Sequence, residues 1–115
     1  MDLSSPYPDE VSLTDETGKG FVFRYSKNSL RLYTYDLDSP GRSSCEKHCE
    51  EVWSPVLAPL SAKPLGAWTL IPRNLGYRQW AYRGHPVYTL FGDLAYEPKG
   101  DGKENGKWHL LPYEK

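Results

Sequence analysis

Two tyrosine–aspartate sets and one closely spaced cysteine pair are the parts of this 115-residue chain whose types and spacing could do chemistry. Tyr33, Tyr35 and Asp38 form the first set, and Tyr88 and Asp93 form the second. Phenols beside a carboxylate offer hydrogen bonds and ring faces to a ligand, or oxidisable rings for a redox or haem-associated role. The same residue types also build folds. An Asp after a strand accepts backbone N–H bonds in a turn, and a buried Tyr seats its ring while its hydroxyl finds a partner. A motif that occurs once per half at matching positions reads first as a fold-building element. Trp80 and Tyr82 precede the second set and join it as candidate ligand contacts.

Cys45 and Cys49 are the only cysteines. With His48 between them they leave three outcomes: a disulfide, a metal site or two free thiols. Residues four apart in a regular helix hold their Cβ atoms about 5–6 Å apart, against about 3.5–4.5 Å in a disulfide. A bonded pair therefore requires Cys45 to lie ahead of the first regular turn. One His and two Cys leave a zinc site short of its usual four ligands. His85, before Pro86, and His109, after Trp108, could join His48 only if the fold gathers them, and a solvated or singly hydrogen-bonded His is the simpler state. The order Cys-Glu-Lys-His-Cys is not a haem-attachment sequence. Residues 101–106 fail as a calcium loop at Lys103 and at Pro112, where ligands are needed. No nucleophile elbow, phosphate loop or His-Glu-x-x-His pair occurs, so the reading leans away from an enzyme. No cofactor is expected, with a metal ion or haem as the alternative.

The elements that must position these residues read as strands. Ten Pro and ten Gly break up long helices, and an aromatic content of 14% suits a small folded domain whose class is mainly β. Residues 1–18 have no sustained apolar period and read as a flexible or surface-hugging arm, leaving 19–115 as a single domain. Phe21, Phe23 and Tyr25 alternate with Val22 and Arg24, the period of a half-buried strand. Further strands are expected at 30–35, 68–71, 77–82, 87–91 and 107–111, and a short helix over 46–53. Residues 54–66 read as an extended connection and 98–106 as a polar stretch.

The net charge of −1 divides into −4 over residues 1–51, +4 over 52–92 and −1 over 93–115. The basic stretch with Trp68, Tyr77, Trp80 and Tyr82 could stack single-stranded nucleic acid. The preferred reading is solvated arginines over inward-packed aromatics, with no nucleic acid as partner, because neither a basic excess nor a motif accompanies the stretch. No apolar run is long enough to span a membrane.

Two segments share one order of features. Phe23, Tyr25, a turn, Leu32-Tyr33-Thr34-Tyr35, Asp38, Trp53 and Val56 run parallel to Trp80, Tyr82, a turn, Val87-Tyr88-Thr89-Leu90, Asp93, Trp108 and Leu110-Leu111. Neither half buries its own apolar face, so two quasi-repeated units, about 20–60 and 77–112, are expected to pair around one core.

The motif Tyr33-x-Tyr35-x-x-Asp38, with Pro40-Gly41, Cys45-x-x-x-Cys49, Trp53-Ser54-Pro55, Arg78-Gln79-Trp80, Gly84-His85-Pro86 and Gly106-Lys107-Trp108-His109, resembles a bacterial secreted-repeat family of predicted lipoproteins. That family is defined by Tyr-x-aromatic-x-x-Asp, and the resemblance covers about residues 20–111. The second copy departs from it with Leu90 in place of the aromatic. The resemblance implies an extracytoplasmic location, periplasmic, secreted or anchored through lipid on an upstream segment, and it carries no established activity. The implied export favours oxidation of Cys45 and Cys49 to a structural disulfide. The expected function is a non-enzymatic binding module that meets an envelope protein or small ligand through a surface patch of Tyr and Trp. The alternative is a metal- or haem-associated redox accessory of the envelope.

Overall fold

In the computed structural model, residues 6–16, 20–45 and 48–111 are described. Strand β1 (Val11–Glu16) pairs antiparallel with β2 (Gly20–Tyr25), Val11 opposite Tyr25 and Glu16 opposite Gly20. Residues 11–16, part of the stretch read as an arm, are thus a strand. Their alternation is weak because only Val11 is fully buried, and the pairing with β2 supplies the rest. A four-residue turn follows, with Ser29 at positive φ and the Asn28 side chain accepting the Leu30 N–H at 3.0 Å. Strand β3 (Tyr33–Tyr35), helix α1 (His48–Val52), β4 (Trp53–Pro55) and β5 (Leu57–Ala58) complete the first half. The expected extended connection therefore includes β5 and the end of β4.

The second half repeats the plan with β6 (Trp68–Pro72), β7 (Arg78–Tyr82), β8 (His85–Pro86), β9 (Tyr88–Leu90), the single turn α2 (Lys103–Gly106) and β10 (Trp108–Leu110). The expected strand at 87–91 is interrupted at Val87. In α2, Glu104 and Asn105 adopt left-handed angles, so it is a tight turn rather than a regular helix.

The correspondence between halves is strict. Trp68 follows Val11 by 57 residues and Tyr82 follows Tyr25 by 57, and β6–β7 repeats the β1–β2 register pair for pair. After the next turn, which is two residues shorter in the second half, the spacing is 55, as from Tyr33 to Tyr88, Asp38 to Asp93 and Trp53 to Trp108. Each unit thus begins with a hairpin, β1–β2 or β6–β7.

The halves exchange strands. One four-stranded sheet runs β10-β3-β9-β4, so the tryptophan-bearing strand of each unit, β4 or β10, pairs with β9 or β3 of the other. Trp108 stands opposite Tyr35 and Trp53 opposite Leu90, while Tyr33 and Tyr88 pair at the pseudo-twofold axis. Matching backbone bonds flank these pairs, Leu111 N–H to Leu32 O at 2.9 Å and Val56 N–H to Val87 O at 3.1 Å. The result is one mainly β globule whose core has two clusters. Phe23, Leu32, Val56, Trp68, Trp80, Tyr82 and Val87 fill one, and Tyr33, Cys45, Trp53, Tyr88, Leu90 and Trp108 fill the other.

Candidate functional site

The tyrosine–aspartate sets meet across the axis. Tyr33 donates its hydroxyl to Asp93 Oδ2 at 2.7 Å, and Tyr88 donates to Asp38 Oδ2 at 2.7 Å. Each Tyr therefore serves the Asp of the other half. Each carboxylate also accepts a backbone N–H from six residues downstream, Ser44 to Asp38 at 2.5 Å and Lys99 to Asp93 at 2.8 Å. Both tyrosines are fully buried. Burial, first, and the bond to Asp93 push the Tyr33 phenol above its ordinary range. Burial does the same to Tyr88, reinforced by Asp38 and opposed by the hydroxyl of Ser43. Burial also raises the Asp38 carboxyl, against the bonds it accepts from Tyr88 and Ser44. These groups face one another inside the protein.

Aromatic rings fill the space beside this lock. Trp53 and Trp108 stack at 3.7 Å between centroids, and Tyr35, half-buried, stacks on Trp108 at 4.2 Å. The two indoles differ at their nitrogens. Trp53 Nε1 donates to Glu104 at 3.2 Å, whereas buried Trp108 Nε1 has no partner among the described residues. The residue 55 positions before Glu104 is Cys49, which is bonded to Cys45 with a Cα–Cα distance of 5.2 Å. Cys45 in turn corresponds to Gly100, where a Cβ would come within 2.8 Å of the Tyr33 ring. The first unit thus carries a disulfide where the second carries a carboxylate and a glycine.

The remaining singled-out residues lie apart. Tyr82 packs against Trp68 and Phe23, and Trp80 is buried with its indole N–H on Glu10 at 2.8 Å. His48 pairs with Glu51 at 2.6 Å, His109 with Asp36 at 2.9 Å, and His85 is exposed on β8. Among the described residues no three His, Cys, Asp or Glu side chains are grouped to hold a metal. All four tryptophans are interior, so the expected Tyr and Trp patch has no Trp. Their rings are the largest apolar bodies in a small chain, and two small clusters consume them.

Four of the exposed large apolar side chains, Leu57, Leu60, Leu75 and Tyr77, lie elsewhere, around a groove of about 650 Å³ that Tyr25 and Pro59 also bound. Its walls are held in place. Arg78 Nη2 donates to the carbonyls of Pro59, Leu60 and Ala62, fixing a loop on which Leu60 is 81% exposed. On the other wall, the β6–β7 turn needs positive φ at both Leu75 (62°) and Gly76 (79°). Gly accepts that backbone freely, while Leu does so at a steric cost and is left 91% exposed. A smaller cleft lined by Tyr7, Ala62, Leu65 and Trp80 adjoins the groove at Glu10 and Pro59. Sequence reasoning missed Leu75, whose one signal was an apolar residue in the Asn74-Leu75-Gly76 turn.

No helix among the described residues is long and apolar enough to cross a membrane. No curated protein and no solved structure matches the chain. Residues 69–111, which run from β6 through β10 and make up the second unit, match the model of a family described as a secreted repeat of unknown function, and with the disulfide this suggests an extracytoplasmic module.

Proposed function

We propose that the protein is a non-enzymatic binding module that takes an apolar ligand, or an apolar segment of an envelope protein, in the groove between Leu60 and Leu75. The observation that carries this reading is Leu75. A leucine in left-handed backbone costs about 1–2 kcal/mol, and here it is turned to water, where burial returns nothing. Strain of this kind at a surface turn is accounted for when the side chain has a partner. The groove lies within the roughly 300–1,000 Å³ usual for ligand sites, and Tyr25 and Tyr77 are the aromatics it offers. In this reading the lock of Tyr33, Asp38, Tyr88 and Asp93 is scaffold, and none of its residues lines the groove.

The test uses 1-anilinonaphthalene-8-sulfonate as an apolar probe. Leu75→Gly is expected to raise stability to unfolding by about 1 kcal/mol, by relieving the turn, and to weaken dye binding several-fold. Chemical-shift changes on dye addition should centre on Leu57, Leu60, Leu75 and Tyr77. Shifts centred elsewhere, or unchanged dye affinity in Leu75→Gly, would sink the assignment.

A further inference from the structure

The two units differ sharply at a pair of buried arginines. Arg24 on β2 and Arg31 beyond the turn form an isolated bridge pair, and they are 2% and 8% exposed. The donors of Arg24 are bound within the protein. Its Nε donates to Thr14 Oγ1 at 3.1 Å, Nη1 to the carbonyls of Ser29 and Ala95 at 2.9 and 2.6 Å, and Nη2 to Glu16 at 2.5 Å. The Tyr96 ring lies 4.6 Å from its guanidinium carbon. Arg31 is different, because its buried Nε has no hydrogen-bond partner among the described residues. The charged groups in its field are Glu16, Arg24 and Asp101. Glu16 is bound to Arg24, and Asp101 Oδ1 accepts the Leu110 N–H.

The second unit shows that the fold does not require these charges. The equivalent bridge pairs Ala81 with Pro86, both buried and apolar. The equivalent strands close there across a turn two residues shorter, without a cation. A buried guanidinium with an unmet donor is destabilising, and such groups are ordinarily paired. The fold alone gives no reason for Arg31, and an absent acceptor does.

We propose that Arg31 is the binding residue of an anion site on the first unit, for a ligand that carries a small oxyanion, carboxylate or phosphate. The Nε–Nη edge of a guanidinium presents two parallel N–H donors matched to two oxygens of such a group. Arg24 is immobilised by its own bonds and its charge is met by Glu16, so Arg31 is the cation of this pair left for an anion. Bound anion supplies the acceptor that Arg31 Nε lacks. This site is separate from the apolar groove, and neither reading depends on the other.

A site residue maintained at the expense of stability leaves a signature. In low-salt buffer, Arg31→Met should melt several degrees above the wild-type protein, since an apolar side chain at this position repeats the solution of the second unit. Wild-type protein should gain stability on addition of sodium phosphate or sodium acetate, beyond the gain from sodium chloride at equal ionic strength, and Arg31→Met should lose that difference. Arg42→Met, at an exposed position, should keep it. A stronger response to phosphate than to acetate assigns a phosphate-bearing ligand, and the reverse assigns a carboxylate. Equal responses to all three salts in the wild type, or an undiminished response in Arg31→Met, overturns the proposal. Should Arg31→Met fail to fold, the wild-type protein alone decides: the Arg31 Nε–Hε resonance moves on titration with phosphate or acetate, or the site does not exist.

Discussion

Tyr33 and Tyr88 carry a pH dependence whose sign follows from their environment. Burial and, for Tyr33, donation to Asp93 raise both phenols above the ordinary tyrosine value of about 10. A group whose folded pKa exceeds its unfolded one contributes stability that is complete below the unfolded value and is lost as pH rises through the folded one. Stability should therefore be steady up to about pH 10 and fall steeply above it. In an alkaline titration followed by tyrosinate absorbance, Tyr33 and Tyr88 should ionise only as the protein unfolds. Nine tyrosines ionising together ahead of unfolding would contradict the lock. Asp38 acts in the opposite range. Its raised carboxyl means that the native form holds that proton more tightly than the unfolded chain, so this group favours folding at acid pH and loses that contribution as pH rises through the carboxylate range.

Among the elements, α1 and α2 are two solutions to one structural problem. Each must close the loop before a tryptophan strand, β4 or β10. The second unit does so with Gly100 against the Tyr33 ring and Glu104 on the Trp53 indole, the first with the Cys45–Cys49 bond. The loop that this disulfide closes is short, so its effect through the unfolded chain is small. The joint substitution Cys45→Gly and Cys49→Glu should accordingly leave the fold intact and give Trp108 Nε1 the acceptor it lacks. Its indole resonance should move toward that of Trp53, and stability should exceed that of the plain Cys45→Ala, Cys49→Ala variant. An unfolded product would show that the bond itself, rather than the contact it replaces, secures the first unit.

For the whole molecule, strand exchange makes neither unit complete alone. Tyr88 needs Asp38, Tyr33 needs Asp93, and β3 and β9 need β10 and β4 of the other unit. A protease site introduced in the connection at residues 59–66 and then cut should leave two fragments that co-migrate as one folded species and part only in denaturant. Separation of the fragments under native conditions would show that the covalent connection, not the shared sheet, holds the halves together.

Residue types and spacing were enough to indicate a mainly β chain, two units in step and a Tyr–Asp motif in each, while the cysteine pair stayed open until the family resemblance favoured a bond. These are local facts: alternation marks a strand, Pro and Gly mark its ends, and a repeated order of residues survives a two-residue difference between turns. Strand β1 escaped notice because its apolar signal comes largely from its partner. The burial of every tryptophan, the exposure of Leu75 and the unmet donor of Arg31 were equally out of reach. So was the pairing of each Tyr with the opposite Asp. Those were decided only when the antiparallel register of β3 on β9 brought positions 55 residues apart onto one axis. A side chain's own sequence neighbours set its strand and its face, but the partner it meets across that axis is set by how the whole chain turns back on itself.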